Sequence, residues 1–359
     1  MRIEQLTFTR FIAALAIVIY HFGDHSVLFT NKYVAFLFNQ ANVGVSYFFV
    51  LSGFVMVVAY NDKENINFIE YVKNRLARIY PVYFMALLLY LGNSLLDNLP
   101  YEIKRMDLIL NLFMLQAWVP SKALTLNYPG WSLSVELFFY LSFPFLFNYI
   151  YKKFTLGFVT FWVLLFWLIS QILFHLIVKT GVIQIPGFDN KDILYHPLMH
   201  FNAFLIGNLA GFYYAQKFKN NKKKYLSPIF FLLFALIFLL KFRFGFNFHN
   251  GLLSVIFVPL ILCISLSNDK IIASFNNRSL VFLGEISFGI YILQVPIWSI
   301  FSDYRLNKYF GLDYINDFTL VFFIRLVVLI IISSLSYLYF EQTIRKKIKN
   351  TRIKAVSKI

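Results

Sequence analysis

Arg10 and His21 stand eleven residues apart in the first apolar stretch of the chain. Eleven residues make about three helical turns, so on a helix the two share nearly one face and lie ~16 Å apart along the axis. A neutral imidazole can accept the proton of an attacking hydroxyl, and a guanidinium can hold an anion. Asp24 and His25 follow His21 at i+3 and i+4 on that face, and the Asp24 carboxylate is expected to orient the imidazole. Arg75 and Arg78 are i,i+3 just before Tyr80-Pro81. Two guanidinia on one helical face make a fork for phosphate oxygens. Glu136 has Ser132 one turn earlier on its own face. From depth alone, Glu136 is expected to pair with Arg325, and Glu285 or Glu341 with Arg10. The plain alternatives are interfacial anchoring for the arginines and structural ion pairing for the carboxylates.

The elements that carry these residues must be apolar. Of 359 residues 59% are hydrophobic, 20% aromatic and only 14% charged, against roughly 25% charged in a soluble domain. A soluble core cannot hide so much apolar surface, which excludes an ordinary soluble enzyme and a disordered chain. Candidate spans fall at about 6–24, 43–60, 79–96, 131–150, 154–178, 197–216, 226–240, 252–267, 281–301 and 318–340. The expected fold is therefore all-α: a polytopic transmembrane bundle of about ten spans. Leu108–Trp118, at 11 residues, suits a re-entrant or interfacial helix. No small-residue cleavage site follows Phe11–Tyr20, so the first segment reads as a retained span. Residues 1–340 form one transmembrane domain in this reading, and 341–359 a basic cytoplasmic tail.

The net charge of +16 sorts by span rather than by patch. With ten spans and both termini in the cytoplasm, 21 basic residues lie inside and 10 outside, as positive charge is retained in cytoplasmic loops. Scattered over short loops, these charges do not suit nucleic acid. A single cysteine, Cys263, excludes an intramolecular disulfide and a thiolate zinc site. His21/His25 and His196/His200 are i,i+4 pairs, but no acidic or cysteine ligand set accompanies them, so no metal is expected.

Five segments in order resemble the acyltransferase 3 family of integral membrane acyltransferases, which includes polysaccharide O-acetylases. Leu6-Thr7-Phe8-Thr9-Arg10 through His21 is similar to its first-span motif, and Gly44 to Phe54 to its second-span signature. Arg75-Leu76-Ala77-Arg78-Ile79-Tyr80-Pro81 resembles its RxxR-tyrosine-proline segment. Trp131-Ser132-Leu133-Ser134-Val135-Glu136 resembles its WSLSxE segment, and Ser287 to Leu293 its late SYxLYLxH segment. Two positions depart: Gln294 stands where the late motif ends in histidine, and Thr343 where a proline follows the final-span glutamate. Glutamine hydrogen-bonds but takes no proton, which leaves catalysis to His21 alone.

The resemblance implies an acyl-CoA donor, expected to be acetyl-CoA, used as a co-substrate with no bound cofactor. It implies a sugar hydroxyl acceptor on a cell-surface glycan or lipid-linked precursor, in a bacterial-type inner membrane. Arg75 and Arg78, with Arg10, would hold the donor phosphates. His21 would act as general base, or carry the acyl group as an acyl-histidine. Ser52, Trp131, Ser132, Glu136 and Tyr291 would line the cavity by motif position, with Asp24 supporting His21. The rival readings are a glycan or lipid-intermediate transporter, or a structural subunit of a polysaccharide assembly. Matching broken helices in two halves would mark the transporter, and the sequence shows no such symmetry.

Overall fold

The computed structural model describes residues 3–96, 103–181, 190–313 and 317–347. Every one of the ten apolar segments is helical. In chain order they are α1 (Gln5–Phe22), α2 (Val43–Tyr60), α3 (Phe68–Leu96), α4 (Trp131–Phe145), α5 (Leu156–Thr180), α6 (Pro197–Tyr213), α7 (Leu226–Lys241), α8 (Ser254–Leu266), α9 (Arg278–Ile300) and α10 (Phe318–Leu335). Among the described residues the only β pairing is an isolated bridge between Lys223 and Ser267. Backbone groups in a bilayer must be satisfied internally, and an all-helical bundle does this.

Among the described residues, seven helices are long and apolar enough to cross a membrane: α1, α2, α3, α5, α9, and α4 and α10 with their extensions. α7 and α8 are shorter apolar helices. α6 is held inside the bundle, with Asn202 and Asn208 wholly buried. Three helices pass without a break into a π-helical turn: α4 into Leu146–Tyr151, α6 into Tyr214–Phe218, and α10 into Ser336–Glu341. The last continues as helix through Lys347. The first residues of the expected tail thus extend α10, while 348–359 lie outside the described residues.

Two helix pairs set the frame. α2 and α6 meet through glycines: a Cβ on Gly207 would fall 2.0 Å from the Val50 carbonyl oxygen. α1 and α9 meet at Gly284, where a Cβ would fall 1.9 Å from the Thr7 carbonyl oxygen. Without a hydrophobic drive between helices in lipid, such close backbone approach supplies the packing. The Gly284 contact holds the helix of Arg10 and His21 against the helix of Tyr291 and Gln294.

Two sequence boundaries change. α3 begins at Phe68 rather than near 79, so Arg75 and Arg78 lie two to three turns inside a 29-residue helix. Their charges lower the local hydropathy, but tertiary packing sustains the helix, and Pro81 is accommodated within it. The expected helix at 108–118 is Arg105–Leu112, followed by a tighter turn at Gln116–Trp118. Eight residues rise only ~12 Å, short of the ~30 Å hydrocarbon core. This connection folds back on the bundle: Tyr83 Oη donates to the Asn111 carbonyl at 2.6 Å, and Asn127 Nδ2 to the Ile292 carbonyl at 3.0 Å.

Candidate active site

Helix α1 carries a different cavity at each end. The cleft at the Arg10 end is lined by Arg10, Ser52, Arg75, Arg78, Ser132, Glu136, Tyr140 and Tyr291, with apolar walls from α2 and α9. Its empty volume is about 850 Å³, counted to its open mouth. Seven of the ten residues singled out from the sequence therefore converge here, from α1, α2, α3, α4 and α9.

The charges in this cleft are not neutralised in pairs. Among the described residues, Arg10, Arg75 and Arg78 make no ion pair, and the side chains of Arg10 and Arg78 no hydrogen bond. Arg75 lies over the rings of Tyr71, Tyr60 and Tyr140 at 5.2, 5.7 and 5.7 Å. Arg75 also hydrogen-bonds Tyr71, and with five N–H donors a guanidinium held this way keeps others for an anion. The one carboxylate in the lining, Glu136, accepts from Tyr140 Oη at 2.6 Å and from Ser52 Oγ at 3.3 Å. Collecting like charges in a low-dielectric site is costly unless a counter-charge enters.

His21 belongs to a second cavity of about 910 Å³, lined also by Asp24, His25, Trp298, Ser299, Asp303 and Arg325. The two cavities share no lining residue. Between them stands a hydrogen-bonded neck. His21 Nδ1 lies 2.8 Å from Gln294 Oε1, and Gln294 Nε2 donates to the Tyr291 carbonyl at 2.6 Å. The Tyr291 hydroxyl lies 2.9 Å from Ser132 Oγ and 3.1 Å from the Pro129 carbonyl, which Ser132 also reaches at 3.0 Å. Tyr128 packs edge-on to the imidazole, ring centroids 4.9 Å apart.

Several expected roles change. Asp24 is exposed and lies 3.6 Å from His25 Nε2, while Gln294 takes the place beside His21. Arg325 pairs with Asp303 at 2.5 Å and donates to the Phe301 carbonyl, so it does not meet Glu136. Glu341 pairs with Arg345, one turn on, at 3.3 Å, and not with Arg10; Glu285 faces Tyr337. Depth along a helix gives no azimuth, which is why these pairings were misassigned. Trp131 does not line the cleft but packs with Phe49, Tyr195, His200 and His249. Burial in that cluster pushes the His249 imidazole down to about 4, which keeps it neutral. His200 Nε2 donates to the Leu194 carbonyl, and His196 Nδ1 accepts from the Leu198 amide at the start of α6.

One functional candidate was not singled out from the sequence. Arg345 stands within electrostatic reach of both Arg10 and Arg78, adding a fourth guanidinium beside the cleft. Its signal was the i,i+4 spacing from Glu341.

The bundle and its cavities define a membrane-embedded helical protein with an arginine-lined cleft at one end of α1 and a histidine cavity at the other. The chain belongs to the acyltransferase 3 family: that family's profile, described as an acyltransferase domain, matches residues 3–338. Over 152 positions it is 32% identical to Acyltransferase MdmB of Streptomyces mycarofaciens, covering 40% of this chain and 39% of that one. Over 376 positions it is 25% identical to a Staphylococcus aureus (strain COL) protein named "Putative O-acetyltransferase", covering 94% of this chain and 56% of that one. Over 109 positions it is 32% identical to the exopolysaccharide production protein ExoZ of Rhizobium meliloti, covering 30% of this chain and 34% of that one. The matched part is thus between a third and somewhat over half of each of these relatives. No solved structure matches the chain.

Proposed function

We propose that this chain is a membrane O-acyltransferase. It moves an acyl group, acetyl as the expected case, from a cytoplasmic acyl-CoA to a sugar hydroxyl of a cell-surface glycan or its lipid-linked precursor. The observation that carries the reading is the unpaired state of Arg10, Arg75 and Arg78 in one cleft, on the helix that presents His21 to another. The pyrophosphate and 3′-phosphate of coenzyme A match three guanidinia against one carboxylate. From there the pantetheine arm would extend past Ser52 and Glu136 toward Ser132 and Tyr291, bringing the thioester to the neck. The names of the relatives, one O-acetyltransferase and one exopolysaccharide production protein, support an acyl group and a glycan.

In this scheme the acceptor sits in the outer cavity with its hydroxyl at His21 Nε2. The hydroxyl oxygen attacks the thioester carbonyl as Nε2 takes its proton. The C–O bond forms, the tetrahedral intermediate collapses, and the C–S bond breaks. Coenzyme A leaves as a thiolate and receives from the imidazolium the proton that the hydroxyl gave up. General base catalysis of this kind contributes roughly 10²–10⁴-fold. The excess of basic residues on one side in the ten-span reading supports a cytoplasmic mouth for the arginine cleft, the side where acyl-CoA is made.

Labelled acetyl-CoA offered to inside-out vesicles that hold this protein and its glycan acceptor tests the scheme. Label is expected on the glycan, and none when the same donor is offered to sealed right-side-out vesicles. Glycan movement that does not depend on acetyl-CoA would instead identify a transporter.

A further inference from the structure

We propose that Gln294 is the positioning residue of His21: it fixes the imidazole as the Nδ1–H tautomer and so leaves Nε2 as the base. The inference rests on the acyltransferase reading for its catalytic meaning, but its geometry stands alone. A backbone carbonyl cannot donate a hydrogen bond. The amide atom of Gln294 that faces the Tyr291 carbonyl at 2.6 Å must therefore be the NH₂ group. The other amide atom, facing His21 Nδ1 at 2.8 Å, is then the oxygen, which can only accept. Nδ1 must donate, and a neutral imidazole with its proton on Nδ1 has its lone pair on Nε2.

Three further observations make the arrangement rigid. Gln294 is fully buried, so water does not compete for its amide. It sits in the unbroken helix α9, three residues beyond the tyrosine whose carbonyl orients it. That tyrosine is itself held at Ser132 and Pro129, on the first turn of α4 and just before it. His21 Nε2 has no partner among the described residues and is not sealed from solvent. The same orientation would come from a carboxylate partner, but a neutral amide does so without adding a charge that favours imidazolium. Glutamine here thus keeps the base neutral and oriented without joining the proton transfer.

Nitrogen-15 NMR of the histidine side chains in the full chain, reconstituted in nanodiscs, reads the tautomer without any assay of activity. His21 is assigned by its loss in His21→Asn. The expected result is a protonated Nδ1 and an unprotonated Nε2 in the wild-type protein, with the preference lost in Gln294→Leu. A wild-type His21 protonated on Nε2 would overturn the proposal, whether or not the chain transfers acyl groups. Kinetics give the second readout. Gln294→Leu should lower kcat roughly 10²-fold with the KM for acetyl-CoA within about 2-fold, because the arginine cleft is untouched.

Gln294→Glu should recover much of that rate, with the ascending limb of the pH profile moved to higher pH, since a carboxylate stabilises the imidazolium. The other titratable or charged groups facing His21 are Tyr20, Tyr128, Asp24, His25, Asp303 and Arg325, all unchanged in these variants. Wild-type kcat in Gln294→Leu, or an unmoved profile in an active Gln294→Glu, would overturn the positioning role.

Discussion

The two cavities of α1 treat arginine in opposite ways. At the Arg10 end, three guanidinia line the space with no ion pair among the described residues. At the His21 end, Arg325 is 4% exposed and is joined to Asp303 at 2.5 Å and to the Phe301 carbonyl at 2.7 Å. Both arrangements put cationic side chains inside an apolar bundle, where an unpaired charge is costly. A satisfied arginine has its counter-charge in the chain and acts as structure. An unsatisfied set must take its counter-charge from elsewhere, and coenzyme A phosphates are the proposed source. The pairing state of a buried arginine therefore separates scaffold from site, where its depth in the membrane does not.

That contrast can be broken at four places. His21→Ala should remove the base and lower transfer by roughly 10²–10⁴-fold, while detergent extraction and monodispersity stay as in the wild type. Arg325→Ala should act on the fold instead. Removing one member of a buried pair costs about 3 kcal/mol, less the share screened at half-exposed Asp303. Thermal unfolding should then shift down, with the donor KM of the surviving protein unchanged. Arg78→Ala should do the reverse, raising the acetyl-CoA KM roughly 10-fold or more for one lost charge-assisted bond of about 1.5–3 kcal/mol, at near-normal stability. Asp24→Asn should change the transfer rate by less than about 2-fold, because the carboxylate is exposed beside His25 and not bonded to His21. A large loss in the last variant would restore Asp24 as the orienting group.

Much of this arrangement was legible in the sequence because it follows helical periodicity. The eleven-residue spacing of Arg10 and His21 put them on one helix at opposite ends, and the structure keeps both there. The i,i+3 spacing of Arg75 and Arg78 survived even though α3 starts about three turns earlier than hydropathy suggests. What periodicity along one helix does not encode is which faces meet across the bundle. The bond from His21 to Gln294 spans 273 positions and depends on the α1–α9 contact at Gly284. The same gap misassigned Glu136 to Arg325: both lie at similar depth, but Glu136 faces Ser52 and Tyr140 while Arg325 faces Asp303. Trp131 sits beside Ser132 in one motif, yet its ring turns away from the cleft into the His200–His249 cluster.

The central claim is a division of labour along α1, with donor binding at the Arg10 end and proton transfer at the His21 end. Equilibrium binding of acetyl-CoA to the purified wild type, His21→Ala and Arg78→Ala tests it most directly. The account predicts that His21→Ala binds the donor as the wild type does yet transfers roughly 10²–10⁴-fold more slowly, while Arg78→Ala loses roughly 10-fold or more in donor affinity. Donor binding lost in His21→Ala, or wild-type affinity in Arg78→Ala, would contradict it.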